Sequence, residues 1–211
     1  VKQLLQDYLS VRDEEDLHLN TTHSCSDTTS DRSASGSQVR KLPFLIKRNG
    51  EWLYKGEPLN RKAMVCLFGS VLTRDSEGAY LLRTPVETGY IDVEDAPFQA
   101  VKLEWSGCGR MQKLCFCTNT DEPVVADREH PIRTRWQISS DFCAEGACPP
   151  YLTVRAGDGL FPVEARLSRS VWYELAALAE PGQCHGIPCM GVWSCDSFFP
   201  LSLMPPEEPE A

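Results

Sequence analysis

One order of elements runs through this sequence twice, and that limits what the chain can fold into. Residues 45–50 (LIKRNG) resemble residues 152–157 (LTVRAG). Leu59-Asn60-Arg61 stands ahead of one helical pattern, and Leu167-Ser168-Arg169 stands ahead of another. The strand after each helix starts Gly78-Ala79-Tyr80 in one copy and Gly191-Val192-Trp193 in the other, and runs on to Pro85-Val86 or Pro200-Leu201. Short matches carry little weight singly, but four in one order indicate an internal duplication of hairpin, capped helix and strand. The expected class is α+β: two small β-rich subdomains related by duplication, each with one packed helix.

The first copy, residues 50–98, is the clearer one. Asn49-Gly50 joins two short strands and supplies the positive φ angles of a type I′ hairpin turn. Asn60 is a good N-cap for a helix over residues 61–72, where Met64, Leu67, Phe68 and Val71 fall at helical spacing. Val65 and Leu72 widen that stripe, so the helix is expected to be covered on more than one side. Residues 78–83 and 90–94 read as antiparallel strands.

From Phe98 onward the pattern is mostly strand. Val101, Leu103 and Trp105 alternate with Lys102 and Glu104, which predicts a half-buried strand with those three apolar residues inward. Leu114 and Phe116 are expected on one face of the next strand, with Cys115 and Cys117 on the other. Residues 123–127, 133–139, 151–155 and 159–167 are further strand candidates, and residues 140–150 read as a loop. A second helix over residues 168–179, capped by Ser168 or Ser170, buries Val171, Trp172, Leu175 and Leu178. A Pro-Gly-Cys loop follows, then one last strand over residues 191–201.

The ends differ from the middle. Leu4, Leu5, Tyr8 and Leu9 suggest a short helix over residues 1–17. Residues 18–38 are rich in Ser, Thr and Asp, too poor in large apolar groups to offset their ordering entropy. The expected divisions are an extension at 1–38, subdomains at 39–97 and 98–202, and a tail at 203–211. The net charge of −9 lies mostly at the ends. Asp7, Asp13, Glu14, Glu15, Asp16, Asp27 and Asp31 face only Lys2, Arg12 and Arg32, and Glu207, Glu208 and Glu210 charge the tail. Nothing is basic enough to grip a nucleic-acid polymer. No apolar run approaches the roughly 20 residues of a membrane helix. The first residues show no secretory pattern, so the expected compartment is the cytoplasm.

Ten cysteines leave three readings open. Free thiols pack as small hydrophobes. Disulfides need an oxidising compartment. Zinc could use Cys143, Cys148, Cys184 and Cys189, beside His185, although four residues between paired ligands is at the edge of the usual spacing.

The motifs together resemble a known family. GEWLYKGEPLNR, LF-x-x-VL, TPVE, IDVEDAPF, Thr118-Asn119, HPIR at 130–133, YLTVR and GVWS-x-x-x-FFPL occur in order between residues 42 and 201. In this they are similar to the bacterial family called domain of unknown function 1285 (DUF1285). The resemblance implies two α+β halves, the C-terminal one similar to a pleckstrin-homology-like barrel. It also implies a site at their interface for a nucleotide-like ligand, with a role in signalling. The sequence departs from that pattern in the loops at 140–150 and 183–190, at Cys195 where Gly is expected, and at Thr88 where Lys is expected.

Candidate site residues follow from both sources. Asn60-Arg61 and Ser168-Arg169 each place an arginine at a helix start, where free N–H groups and the helix dipole attract anions. Arg133, Arg135, Arg155 and Arg166 could add charge-assisted contacts to phosphate. Trp52, Tyr54, Tyr80, Trp193 and Phe198 could stack a base or fill the core. Glu87, Glu94 and Asp95 suit a ribose hydroxyl or solvent. His130 reads as a turn residue before Pro131. The candidate ligand set is Asn60, Arg61, Glu87, Glu94, Asn119, Arg133, Arg155, Arg169, Tyr173 and Trp193. No catalytic set, metal set or cofactor is assigned, because phosphate-loop, G-x-S-x-G and clustered metal motifs are missing. The leading function is a ligand-binding or signalling module. The alternatives are a protein-interaction scaffold and a phosphohydrolase.

Overall fold

The computed structural model describes residues 40–84, 87–134 and 149–204. The helix expected at 1–17, the linker at 18–38, Arg135, Cys143 and Cys148 lie outside the described residues.

The first half follows the hydrophobic alternation of its opening strand. In β1 (Arg40–Ile46), Leu42, Phe44 and Ile46 point inward and are buried. β2 (Trp52–Tyr54) pairs back on β1, with Ile46 opposite Trp52. β3 (Glu57–Pro58), helix α1 (Lys62–Ser70), β4 (Leu72–Arg74), β5 (Tyr80–Arg83) and β6 (Thr88–Val93) follow. The sheet order is β3-β2-β1-β6-β5-β4. Phe44 sits 5.0 Å from Phe68 of α1 and 4.9 Å from Tyr54, ring centre to ring centre. Burying Phe44 and Phe68 contributes roughly 1.5–3 kcal/mol each.

Three local expectations are corrected here. The β1–β2 turn is not type I′: Gly50 has φ +81°, but Asn49 is not among the described residues with positive φ. The Gly50 N–H donates to the Lys47 carbonyl at 2.9 Å, and the Lys47 N–H donates to the Glu51 carbonyl at 2.9 Å. That is a type I turn closed by a left-handed glycine, one residue longer than expected. The type I′ geometry belongs instead to Lys55-Gly56, His185-Gly186 and Cys195-Asp196, each a pair of positive-φ residues between paired strands. Nor is Asn60 the helix cap. Arg61 holds that position without a side-chain capping bond, and α1 begins at Lys62. Asn60 is one residue too early for its short side chain to cap. The helix also stops sooner than expected, since Leu72 starts β4. Residues 64–67 are all half-buried, so α1 does meet neighbours on more than one side.

The second half comprises β7 (Phe98–Ser106), a 3-10 turn (Gly109–Met111), β8 (Lys113–Thr118), β9 (Pro123–Val125), β10 (Ile132–Arg133), β11 (Tyr151–Arg155) and β12 (Val163–Leu167). Helix α2 (Arg169–Ala177) and strands β13 (Glu180–Cys184), β14 (Ile187–Ser194) and β15 (Ser197–Leu203) complete it. The main sheet runs β10-β11-β12-β7-β8-β9. Its one parallel pairing sets Ala165 of β12 beside Phe98 of β7. Leu114 and Phe116 are buried, and Cys115 and Cys117 lie on the other face. A bulge between Ala100 and Lys102 overturns the alternation expected for β7. Phe98, Ala100 and Leu103 are buried, but Val101 is the extra residue and is 46% exposed. Trp105, towards the end of the strand, is 50% exposed.

The Ser168 hydroxyl caps α2, accepting from the Val171 N–H at 3.4 Å. Val171 and Leu175 are buried beneath it, and Trp172 and Leu178 are half-buried. Where a loop and a single strand were expected, the chain forms a three-stranded sheet, β13-β14-β15. Pro181 and Gly182 read as breakers, yet they lie in an edge strand, where a missing N–H costs no ladder bond. A buried serine fastens this sheet to the main one: the Ser194 hydroxyl donates to the Ala126 carbonyl at 2.6 Å and accepts from the Leu114 N–H at 3.0 Å.

Each half therefore has a sheet, one helix and an antiparallel meander after the helix, β4-β5-β6 or β13-β14-β15. This is consistent with duplication. The matched triplets fall on the second strand after each helix, not the first: Tyr80 opens β5 and Trp193 lies in β14. Among the described residues, no helix is long and apolar enough to cross a membrane.

Candidate functional site

The halves meet along a polar seam, and most of the predicted ligand residues on it are already engaged with the protein itself. Asn119, just after β8, is held on four sides. Its Oδ1 accepts from the Gln99 N–H at 3.0 Å, and its own N–H donates to the Gln99 carbonyl at 2.7 Å. Its Nδ2 donates to the Gly50 carbonyl at 3.3 Å, and its carbonyl accepts from Lys62 Nζ at 2.6 Å. Lys62 also pairs with Asp121 at 3.1 Å. Asn119 thus pins the β1–β2 turn and the start of α1 to the second half.

Arg155 does the same at the other end of α1. Its guanidinium donates to the carbonyls of Gly69 and Ser70 at 3.0 and 3.1 Å, and pairs with Glu122 at 3.0 Å. Those carbonyls are among the orphan acceptors that end every helix. The guanidinium also stacks over Phe98, 5.3 Å from the ring centre. Arg155 is therefore a clamp, not a free phosphate ligand.

Glu94 accepts from the Arg48 N–H at 2.8 Å and orders the β1–β2 turn. Glu87 closes a turn with Thr84, donating its N–H to the Thr84 hydroxyl at 3.0 Å. Asn60, Arg61 and Arg169 are exposed at the two helix starts, and Tyr173 is 64% exposed on α2. Trp193 packs on Phe198 and carries the Arg110 guanidinium 4.7 Å above its ring. Among the described residues, then, the candidates do not converge on one cleft.

A second polar network crosses the seam at β5 and β12. The Tyr151 hydroxyl donates to Asp95 at 2.7 Å, and Arg166 approaches the other Asp95 oxygen at 3.6 Å. Tyr80 is buried nearby; burial pushes its hydroxyl up to about 12, with Arg74 opposing and Glu164 and Asp95 adding to the rise.

One predicted residue, Arg133, lines a cavity. The space is about 300 Å³; its lining includes Arg128, Glu129, Thr153, Gly157, Leu160 and Pro162, so one carboxylate stands beside the two arginines. Arg133 and Glu164 are 3.9 Å apart, a loose pairing. Arg128 is exposed on a turn built by Asp127, whose carboxylate accepts from the N–H groups of Glu129 and His130 at 2.9 and 2.8 Å. Burial raises the Asp127 carboxyl. Contacts from the His130 N–H, the His130 ring at 3.1 Å and the Glu129 N–H outweigh that and hold it below the ordinary value. His130 is thus a turn residue, as expected. Thr153 is buried, and its hydroxyl has no hydrogen-bond partner among the described residues.

The sequence reading missed Thr153, Arg128 and Lys62. For Thr153 there was a signal: a polar side chain between Leu152 and Val154 in a strand buried on both faces.

A family model described as "Domain of unknown function (DUF1285), N-terminal domain" matches residues 36–96, and "Protein of unknown function (DUF1285), C-terminal domain" matches residues 97–201. The chain belongs to the DUF1285 family. It is similar to the crystal structure of a DUF1285 family protein from Silicibacter pomeroyi DSS-3. The identity is 41% over 77% of this chain and 81% of that one, with a TM-score of 0.65. It is also similar to a DUF1285 family protein from Shewanella baltica OS155, with 25% identity, 63% and 89% coverage and a TM-score of 0.43. No curated protein matches the chain. Cys195 adopts φ +48° in the β14–β15 turn, a conformation that glycine takes without strain. Thr88 is exposed at the start of β6.

Proposed function

We propose that this protein is a non-catalytic binding module for an anionic, nucleotide-like small molecule, serving in signalling, with the ligand held in the cavity beside the seam. The observation that carries this reading is that two arginines, Arg128 and Arg133, line one cavity. Guanidinium groups pair with phosphate oxygens in a bidentate way. A volume of about 300 Å³ is at the small end of ligand pockets and suits a mononucleotide rather than a polymer. We take the ligand-binding unit to be residues 39–202, with a pleckstrin-homology-like second half from residue 98.

Thermal melting of the full chain in reducing buffer, with mono-, di- and cyclic nucleotides, tests this. A ligand at 100 times its dissociation constant adds about 2.7 kcal/mol of stability. The expected shift is lost in Arg128→Ala and Arg133→Ala. No shift with any nucleotide sinks the reading, and turnover of one replaces it with a phosphohydrolase. Exposed Trp105 and Val101 on β7 favour a second reading, a protein-interaction scaffold. Capture of a defined partner without any nucleotide shift selects it.

A further inference from the structure

The wall of this cavity belongs to one half but is held by the other. Residues 156–162 connect β11 to β12, and Gly157, Leu160 and Pro162 of this strap line the cavity. The other side of the strap is docked on β4 and β5 of the first half. The Asp158 N–H donates to the Arg74 carbonyl at 2.7 Å, covering the edge of β4. Arg74 returns a bond from Nη1 to the Pro162 carbonyl at 3.1 Å and one from Nε to the Gly78 carbonyl at 2.8 Å. Its guanidinium also lies between two rings, 4.7 Å from the centre of Tyr80 and 5.3 Å from that of Phe161. The Asp158 carboxylate pairs with Arg83 of β5. Neither Arg83 nor Asp158 lines the cavity.

Resting on the binding reading above, we propose that Arg74 and Arg83 are positioning residues for the pocket. They set its strap wall from the opposite half, so that ligand binding and docking of the halves strengthen each other. Thermodynamic linkage makes the coupling reciprocal: whatever factor strap release takes from ligand affinity, bound ligand returns to strap docking.

The test titrates the full chain with adenosine monophosphate and, separately, inorganic phosphate, and follows amide exchange across β5. Arg83→Glu puts like charges at the strap and is expected to weaken binding about fivefold, within the range for a partly exposed ion pair and a coupled site. Asp158→Asn, which keeps the N–H bond to Arg74, is expected to act in the same direction. The charge-swapped pair Arg83→Glu with Asp158→Arg is expected to restore affinity, which a merely destabilised fold would not do. Added nucleotide should slow exchange in β5 of the wild type, and not in Arg83→Glu. Wild-type binding with unchanged affinity in both single variants overturns the coupling and leaves the pocket reading standing. Failure of the wild type to bind either probe overturns both.

Discussion

Arg155 of β11 ends helix α1 in the other half of the chain by donating to the Gly69 carbonyl at 3.0 Å. The helix has no glycine past its end and no cationic residue near it to do this: Val71 is its C-cap, Leu72 follows, and its last turn carries no basic side chain. The cap arrives from more than eighty positions away, with Glu122 as its counter-charge. Arg155→Ala is expected to destabilise the protein by about 2–3 kcal/mol, since it strips two helix carbonyls and a carboxylate at once. Arg155→Lys should recover less than half of that, because an ammonium cannot reproduce the fork. Urea unfolding of both variants checks it, and an Arg155→Ala midpoint equal to wild type refutes the clamp.

Gly157 is packed for closeness rather than for an unusual φ. A Cβ there would overlap the Phe161 carbonyl oxygen and lie 2.8 Å from the Arg74 carbonyl oxygen. Both obstacles are backbone, so neither can rotate aside. Gly157→Ala is expected to cost about 2 kcal/mol or more through a displaced strap. Gly56→Ala meets nothing within 4 Å, so its loss should come from its φ of +87° alone. Paired thermal melts compare the two.

Asn119 offers a graded experiment. Asn119→Ala removes every side-chain contact and should cost about 1–2 kcal/mol. Asn119→Asp keeps the oxygen that accepts from Gln99 but sets a carboxylate oxygen against the Gly50 carbonyl in place of the donor, so a loss at least as large as alanine's is expected. A clearly smaller loss in Asn119→Asp would mean that the Gln99 contact carries the pin.

Alkaline pH should act through Tyr80. Its hydroxyl is raised from 10.0 to about 12 in the folded protein, chiefly by burial. The unfolded chain releases that proton first, so stability is whole below pH 10 and falls as pH climbs towards 12. The loss across that interval is on the order of 2–3 kcal/mol. Tyr80→Phe keeps the ring beneath Arg74 and should flatten this part of the pH profile. A profile as steep as wild type in Tyr80→Phe would assign the alkaline loss to another group.

Local chemistry was readable in advance where one residue decides it. Ser168 or Ser170 was expected to cap α2, and Ser168 does, because an N-cap bond is made within a single turn. The buried face of Leu114 and Phe116 follows from simple alternation. Alternation misled at Val101 because a bulge depends on the partner strand, and at Trp105, which lies towards the end of its strand. Asn49-Gly50 announced a hairpin correctly but not its turn type, which the longer Lys47–Glu51 closure sets. The three-stranded C-terminal sheet was missed because Pro181 and Gly182 are breakers only inside a sheet, and edge position is a tertiary fact. At the site, the arginines were visible as charges, but their partners were not. Arg155 and Asn119 find theirs in the other half, and no spacing in the sequence encodes that.

The parallel pairing of β7 with β12 carries a consequence for how the chain emerges from a ribosome. β7 can pair with β8 as soon as that hairpin is made. Its other edge waits until the far larger part of the second half has been synthesised, because Ala100 meets Leu167. During that interval a nascent chain presents a bare strand edge beside exposed Val101 and Trp105, a template for pairing with a neighbouring chain. Polysome crowding and slow translation beyond β8 would therefore tax the yield of this protein more than its final stability suggests.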